Sequence, residues 1–236
     1  MPKQNKQNIG EVIPNQVFIG CPAKGVRAKY QVVIGKLKTR FPVSFVIVGR
    51  DESQDADDLL NVIKSKLGTS SHAVFDATNH NPNVSLEFGY AEAIDIPRSL
   101  YLSDHGATKK KGQEGAIISD LAGKWQNRYK QIARLTTLLS ALAKNHNYTK
   151  KFEKFMARGF KNKGKGEKKR VRSLSLKIIH MLDDKIEVRR DDIVLELQAD
   201  QSNYKKSEIN NMMRRLHKQE LIQVLRGRYS TVSIRG

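Results

Sequence analysis

Short apolar runs alternate with amphipathic segments along the first half of the chain. Four of the runs have the length and content of buried strands, namely Val17–Gly20, Phe45–Gly49, Ala73–Phe75 and Ser99–Leu102. Helical spacing of apolar residues follows three of them, over Ala28–Leu37, Asp55–Leu67 and a segment that begins near Asn83. Strands that alternate with helices form parallel sheets covered on both faces. The pattern therefore predicts an α/β domain.

This domain is predicted to continue through two more elements. Ala116–Ile118 has the length of a short fifth strand, and Asp120 lies just beyond it. Apolar residues at three- and four-residue steps predict a long helix over Gln126–Leu142, with Tyr129 on its inner face. We therefore place the domain at residues 17–146.

Residues 173–236 have a different rhythm. Three helical patterns begin near Ser173, Asp191 and Lys205, and two strands then flank a turn at Gly227. Three helices and a hairpin are typical of a winged helix-turn-helix domain, a small α+β domain that binds DNA. A winged helix that contacts proteins is the alternative, because the segment holds only 12 basic residues against 9 acidic ones.

The third helix of this segment and the hairpin turn hold candidates for nucleic-acid contact. The second helix of a helix-turn-helix motif reads base edges in the major groove, so we expect DNA rather than RNA. The candidates are Lys205, Lys206, Asn210, Asn211 and Arg214 on the helix, and Arg226 and Arg228 in the turn.

The charge of the chain is strongly asymmetric. The net charge is +19, and residues 105–172 hold 19 of the 43 Lys+Arg but only 4 of the 24 Asp+Glu. This excess suggests a polyanionic partner, most often nucleic acid, and a solubilising linker is the alternative. We interpret residues 147–172 as a basic linker whose first half docks as a helix, and residues 1–16 as a polar N-terminal tail. The candidate phosphate contacts in the linker are Lys163, Lys165, Lys168, Lys169 and Arg170.

Other features limit the class of protein. The single cysteine, Cys21, rules out an internal disulfide and any multi-cysteine zinc site, and the sequence predicts neither a metal nor a cofactor. No apolar run reaches the length of a membrane span, and the N-terminal residues lack the apolar core of a signal peptide. We therefore expect a cytoplasmic protein without a membrane partner. The oligomeric state stays open, and a homo-oligomer is compatible with the sequence.

The candidate chemistry is concentrated after the third strand. Asp76 ends that strand, and Glu87 lies one turn into the helix that follows. Ligands of open α/β sheets bind outside the carboxyl ends of strands, beside helix starts. The alternative is a simple capping turn followed by a solvated glutamate. Candidates for substrate binding are Gly20, Cys21, Asp76, Asn81, Asn83 and Asp120, and Glu87 is the catalytic candidate.

The order of these residues resembles the signature of nucleoside 2-deoxyribosyltransferase-like proteins, a group that adjoins the TIR-like NAD-cleaving domains. The matching pattern is Asp76-x2-Asn79-x-Asn81-Pro82-Asn83-Val84-x2-Glu87-x-Gly89-Tyr90-Ala91. In the transferases the glutamate of this helix attacks the sugar carbon and releases the base, so the resemblance gives that role to Glu87. An acidic residue six positions earlier usually helps to hold the base in those enzymes, and this chain has Asn81 there.

The resemblance covers residues 17–146 and implies a Rossmann-like, flavodoxin-like domain. It implies an N-glycosidase or glycosyl-transferring enzyme that acts on a nucleoside, a nucleotide or an NAD-like substrate. Asp76 and Asn81 would contact the ribose or base, and Gly20 with the helix start at Asn83 would hold phosphate.

Two other functions stay open at this point. One is a non-catalytic nucleotide sensor that controls DNA binding by the winged helix. The other is an enzyme that acts on nucleic acid held by the basic region. The TIR-like resemblance also implies a setting in prokaryotic defence or stress responses.

Overall fold

The structure of the chain is a computed structural model that describes residues 11–49, 56–104, 126–183, 188–200, 203–225 and 228–231. The chain divides into two compact units. The first contains the residues up to Ile34 and Phe45–Leu139, and the second contains Gly35–Ser44 and Ser140–Ser233. The division falls a few residues before the boundary at 146 that the sequence suggested.

A five-stranded sheet forms the centre of the first unit. Its strands are β1 (Ile13–Gly20), β2 (Ser44–Val46), β3 (Ser70–Asp76), β4 (Arg98–Ser103) and β5 (Gln126–Tyr129). The spatial order is β2-β1-β3-β4-β5. The pairs β1–β3, β3–β4 and β4–β5 are parallel. The parallel α/β sheet expected from the sequence is confirmed.

Four helices accompany these strands in the described part of the chain. They are α1 (Arg27–Lys38), α2 (Ala56–Gly68), α3 (Pro82–Ala93) and α4 (Ile132–Asn145). The first three begin within one residue of their predicted starts, because their apolar residues recur at clear helical steps.

Aromatic packing holds α3 against the sheet. Phe75 in β3 is fully buried, and its ring centroid lies 6.1 Å from that of Phe18 in β1 and 5.4 Å from that of Phe88 in α3. Val84 and Ala91, one turn on either side of Phe88, are buried on the same helix face. This packing brings α3 close to the carboxyl ends of β1 and β3.

Two sequence-based assignments in this unit differ from the structure. β1 begins at Ile13, four residues earlier than predicted, and the side chain of Gln16 is buried there because it donates hydrogen bonds to Lys66 O and Ser70 Oγ at 2.9 and 3.0 Å. The predicted strand at 116–118 lies outside the described residues. The fifth strand of the sheet is β5, at a position where the sequence pattern predicted helix.

The second unit combines helices with a small antiparallel sheet. Its helices are α5 (Asn147–Gly159), α6 (Lys165–Met181), α7 (Arg190–Ala199) and α8 (Lys206–Lys218). Its strands are β6 (Val188–Arg189), β7 (Ile222–Leu225) and β8 (Arg228–Thr231), in the order β6-β8-β7. Both strand pairs are antiparallel.

Residues 147–172, interpreted as a basic linker, are largely helical in the structure. The helix expected in the first half is present as α5, and Phe152, Phe155 and Phe160 belong to the hydrophobic core of this unit. The second half was expected to be flexible, but α6 begins at Lys165, eight residues before the predicted start at Ser173. Lysine, arginine and glutamate are good helix formers, which explains why the basic segment extends the helix. Among the described residues, no helix is both long and apolar enough to cross a membrane.

Candidate functional site

The candidate residues of the first unit meet where β1 and β3 end. Gly20 closes β1 and is the pairing partner of Phe75, next to Asp76 at the end of β3. The order of the strands reverses its direction between β1 and β3, since β2 lies beyond one and β4 beyond the other. In open α/β sheets a ligand crevice forms outside the carboxyl ends of the strands at this reversal.

Glu87 reaches this edge from α3. The side chain is half-buried, and its Oε2 atom is buried without a hydrogen-bond partner in the described part of the chain. Burial raises the pKa of Glu87 to about 7, because desolvation disfavours the charged carboxylate. A buried carboxyl group without a partner is unusual in folded proteins and is found at strained or functional positions.

Gly20 creates the space that the Glu87 carboxyl group occupies. A Cβ atom at this position would overlap Glu87 Oε2 and would lie 2.7 Å from Cδ1 of Phe75. Real Cβ atoms do not approach neighbours so closely. Gly20 therefore allows the end of β1 to lie directly against the carboxyl group, and any side chain there would displace it.

Cys21 is next to these carboxyl groups but is not a nucleophile. Burial, together with the negative charges of Asp76 and Glu87, raises the pKa of its thiol to about 12, although Arg27 opposes the change. Cysteine reacts as the thiolate, so Cys21 stays protonated and inert at neutral pH. Its candidate role is to line the site.

Asp76 is fully buried and already has three hydrogen-bond donors. Oδ2 accepts from Tyr30 Oη at 2.9 Å and from Tyr129 Oη at 2.6 Å, and Oδ1 accepts from Thr78 N at 3.0 Å. Burial and the Asp76 charge raise the pKa of both tyrosines well above their ordinary values, so both hydroxyls stay protonated as donors. Asp76 therefore positions Tyr30 and Tyr129. Its contact to a ribose or base stays a prediction.

The polar turn before α3 forms its N-terminal cap. Asn81 is the capping residue: its Oδ1 accepts from Asn83 N at 3.0 Å and Val84 N at 3.3 Å, and Pro82 occupies the first turn. The two backbone N–H groups that a phosphate would need are therefore already bonded to Asn81. The cap weakens the predicted phosphate site at Asn83, whereas base recognition by Asn81, which could use its Nδ2 donors, stays a prediction.

Three residues at this edge were not candidates in the sequence. Tyr30 lies within the predicted helix Ala28–Leu37 and Tyr129 within another predicted helix, and neither spacing carries a signal for a hydrogen bond to Asp76. Arg27, at the start of α1, packs its guanidinium against Gly49 in the segment after β2. In the sequence, Arg27 could have been noticed only as a basic residue in the first helical turn after Gly20-Cys21. Asp120 lies outside the described residues.

The candidates for nucleic-acid contact on α8 differ in how exposed their side chains are. Asn211, Arg214 and Lys206 are exposed, and Lys205 is exposed just before the helix. Asn210 is half-buried, and its Oδ1 accepts from Arg190 Nε at 2.8 Å. Arg228 is exposed at the start of β8, and Arg226 lies outside the described residues.

The basic candidates before α7 differ in whether a carboxylate forms an ion pair with them. Lys163 pairs with Glu167 at 2.6 Å, and Arg170 pairs with Glu208 at 3.1 Å and lies over the ring of Tyr204. Both side chains are therefore paired with carboxylates of the same unit. Lys165, Lys168 and Lys169 are exposed, and no described carboxylate forms an ion pair with them.

Comparison with known proteins gives no further assignment. No family model matches the chain, and no curated protein matches it. Within the described ranges, no group of three or more histidine, cysteine or acidic side chains is arranged to hold a metal ion. The proposed function therefore rests on the geometry of the site together with the resemblance in sequence.

Proposed function

We propose that the first unit is an N-glycosidase or glycosyl-transferring domain that acts on a nucleoside, a nucleotide or an NAD-like substrate, with Glu87 as the catalytic carboxylate. The observation that carries the proposal is the buried, unpartnered Oε2 of Glu87 at the strand-order reversal of the sheet. We further propose a Rossmann-like domain with flavodoxin-like strand order, in line with the resemblance to the deoxyribosyltransferase-like proteins.

The environment of Glu87 suits a reaction in which positive charge develops on the substrate. Cleavage of an N-glycosidic bond gives the sugar oxocarbenium character, and a nearby carboxylate stabilises it or attacks it. A carboxylate that burial has stripped of water interacts more strongly with such a charge than a solvated one does. The raised pKa of Glu87 reports the same desolvation, and a cationic sugar in the site would favour the ionised form.

In this proposal the neighbours of Glu87 hold its carboxyl group and the adjacent edge of the site in position. Gly20 lets β1 approach the carboxyl group, and the hydrogen bonds of Asp76 to Tyr30 and Tyr129 fix the adjacent edge of the site. Cys21 lines the same edge as a protonated thiol. Glu87 is thus the one described carboxyl group at this edge that is free to contact a sugar.

The test is base release by the full-length chain and by Glu87→Gln. Chromatography of nucleoside, nucleotide and NAD mixtures should show release by the wild-type protein and loss with the variant, because glutamine keeps the shape but removes the charge. Glu92→Gln, an exposed position of α3 that pairs with Arg98, is the matched control and should retain activity. Equal release by wild type and Glu87→Gln would remove Glu87 from the mechanism.

We propose for the second unit that it is a winged helix that binds duplex DNA through α8. Three helices and a three-stranded antiparallel sheet occur in the order α6-β6-α7-α8-β7-β8, and α8 exposes Asn211 and Arg214. Glu208, the acidic residue at the start of α8, accepts from Lys205 N at 2.8 Å and pairs with Arg170. Its charge is therefore compensated within the unit and does not oppose the approach of DNA.

This second proposal is tested by competition between selected and random duplexes. Arg214→Ala should weaken a selected site by about 1–3 kcal/mol and random DNA much less, because base contacts carry the sequence preference. Lys165→Gln, which removes one charge away from α8, should weaken both alike. If no sequence can be enriched from a random pool, α8 does not read bases, and contact with a protein becomes the better account.

The sensor function is the alternative for the whole chain, and it predicts a different result. A sensor would bind a nucleotide at the Glu87 site without releasing base. The wild-type chain would be titrated with nucleotides by calorimetry, and its affinity for duplex DNA would be measured with and without the bound nucleotide. Binding of a nucleotide that stays intact, together with a changed affinity for DNA, would favour the sensor over the enzyme.

A further inference from the structure

A cleft between α5 and α6 lies outside both sites described above. Its volume is about 370 Å³, in the size range of sites that hold small organic groups. The floor is apolar and consists of Met156, Ala157 and Phe160. Because α5 and α6 both belong to the second unit, the cleft depends on that unit alone.

The floor of the cleft is held in a fixed geometry. Phe160 is 3% exposed and packs edge-on against Phe155, with ring centroids 5.6 Å apart. Arg215 in α8 lies 3.9 Å from the Phe160 ring centroid and donates a hydrogen bond to Gly159 O at 2.8 Å. A floor that is already ordered loses little entropy when a ligand binds.

The rim of the cleft is cationic. Lys161, Lys168, Lys169 and Arg172 line it, and Glu153 is the one carboxylate among its lining residues. Glu153 pairs with Arg172 through two hydrogen bonds of 2.6 and 2.9 Å. The three lysines have no ion-pair partner in the described part of the chain, so they are available to an anionic ligand.

We propose that this cleft binds one unpaired nucleotide of a single-stranded nucleic acid, with the base on the apolar floor and the phosphates on Lys161, Lys168 and Lys169. A ligand that matches the cleft must combine a flat apolar group with closely attached negative charge, and a nucleotide in a single strand does so. Proteins that bind single strands hold the backbone in a cationic groove and place bases against side chains beside it. In this cleft those side chains are Met156 and Ala157, because Phe160 is 3% exposed and Arg215 covers its ring. This inference is independent of Glu87 and goes beyond duplex binding by α8.

Duplex DNA does not fit the cleft in the same way. Its bases are paired and stacked, so only its phosphates could reach the lysines. An acidic peptide could satisfy the lysines, but its carboxylates offer nothing flat and apolar to the floor. Charge and shape together therefore favour the unpaired nucleotide.

The experiment measures binding of a fluorescent thymidine 12-mer to the full chain by anisotropy. Replacing both Lys168 and Lys169 by glutamine should weaken binding about tenfold and flatten the log–log salt slope by about 1.4, since each phosphate contact on a single strand contributes about 0.7. The matched control replaces Lys150 and Lys154 by glutamine; both are exposed lysines of α5 outside the cleft. It should change the affinity less than threefold, which corresponds to a free-energy change below about 0.7 kcal/mol.

Three further probes test for the base itself. An abasic 12-mer with the same phosphates should bind at least about tenfold more weakly, because it has no base to place on the apolar floor. A 4-thiothymidine 12-mer should crosslink to the cleft, at or next to Met156 and Ala157. Equal binding of the abasic strand, crosslinks confined to other elements, or competition by polyglutamate at equal charge concentration would each overturn the proposal.

Discussion

The pKa of Glu87 leads to a prediction about stability that does not depend on any activity. In the folded chain this pKa is raised from 4.5 to about 7. Below pH 4.5 the carboxyl group is protonated in both the folded and the unfolded chain, so it contributes no difference. Between pH 4.5 and pH 7 the unfolded chain loses its proton first, and the folded state loses stability as the pH rises. Above pH 7 the loss is complete.

The size of the effect follows from the shift. A pKa raised from 4.5 to about 7 means that ionising Glu87 costs the folded state roughly 3 kcal/mol at pH 8. Glu87→Gln removes this cost. We expect the variant to unfold with nearly the same free energy as wild type at pH 4 and to be more stable by up to roughly 3 kcal/mol at pH 8.

The assay is urea unfolding of both proteins between pH 4 and pH 8, followed by the fluorescence of the single tryptophan, Trp125. Glu92→Gln is the control on the same helix; Glu92 is exposed and pairs with Arg98, so its replacement should not give the gain in stability with rising pH that is expected for Glu87→Gln. If Glu87→Gln were less stable than wild type at pH 8, or if the difference did not change with pH, Glu87 would be a bonded or solvated residue and the reasoning would be refuted.

The same site gives three further predictions. Gly20→Ala should destabilise the fold by about 1–3 kcal/mol in urea unfolding, since its Cβ atom would lie 2.7 Å from Phe75, whereas Gly89→Ala, with open space around it, should not destabilise. Tyr129→Phe should cost about 1–3 kcal/mol, because it removes a donor 2.6 Å from the buried carboxylate of β3; an unchanged unfolding midpoint would contradict that hydrogen bond. Alkylation of Cys21 by iodoacetamide at pH 8 should be slower in the folded chain than in urea by roughly a thousandfold, because a pKa of about 12 leaves little thiolate, and comparable rates would show that the thiol is not buried.

The sequence could predict the edge at which the site lies. Gly20 and Asp76 end apolar strands, and Glu87 follows at helical spacing, so their meeting requires only the rule that parallel strands end on one side. The partners of Asp76 could not be predicted, because its hydrogen bonds join residues 46 and 53 positions apart in the chain. Local pattern contains no information about such pairs.

Two elements show how tertiary contacts override local pattern. Gln126–Tyr129 extends a helical spacing of apolar residues, yet it pairs with Leu100–Ser103 as an edge strand. The first half of the basic segment after residue 147 was expected to dock as a helix, and its phenylalanines do lie in the core of the second unit. The second half was expected to be flexible, yet it is helical from Lys165 onward and continues into residues of α6 that pack in the same core.

The hydrogen bonds of Asp76 also determine when the site can form during folding. β3, α1 and β5 must all be in place before the carboxylate has its donors, and contacts so distant in sequence form slowly, because closing long loops costs entropy. A nascent chain that ends before β5 lacks one of the two tyrosine donors and leaves a buried charge undersatisfied. The hydrogen bonds of Asp76 are therefore complete only when β5 joins the sheet, and fraying of β5 would remove one of their three donors.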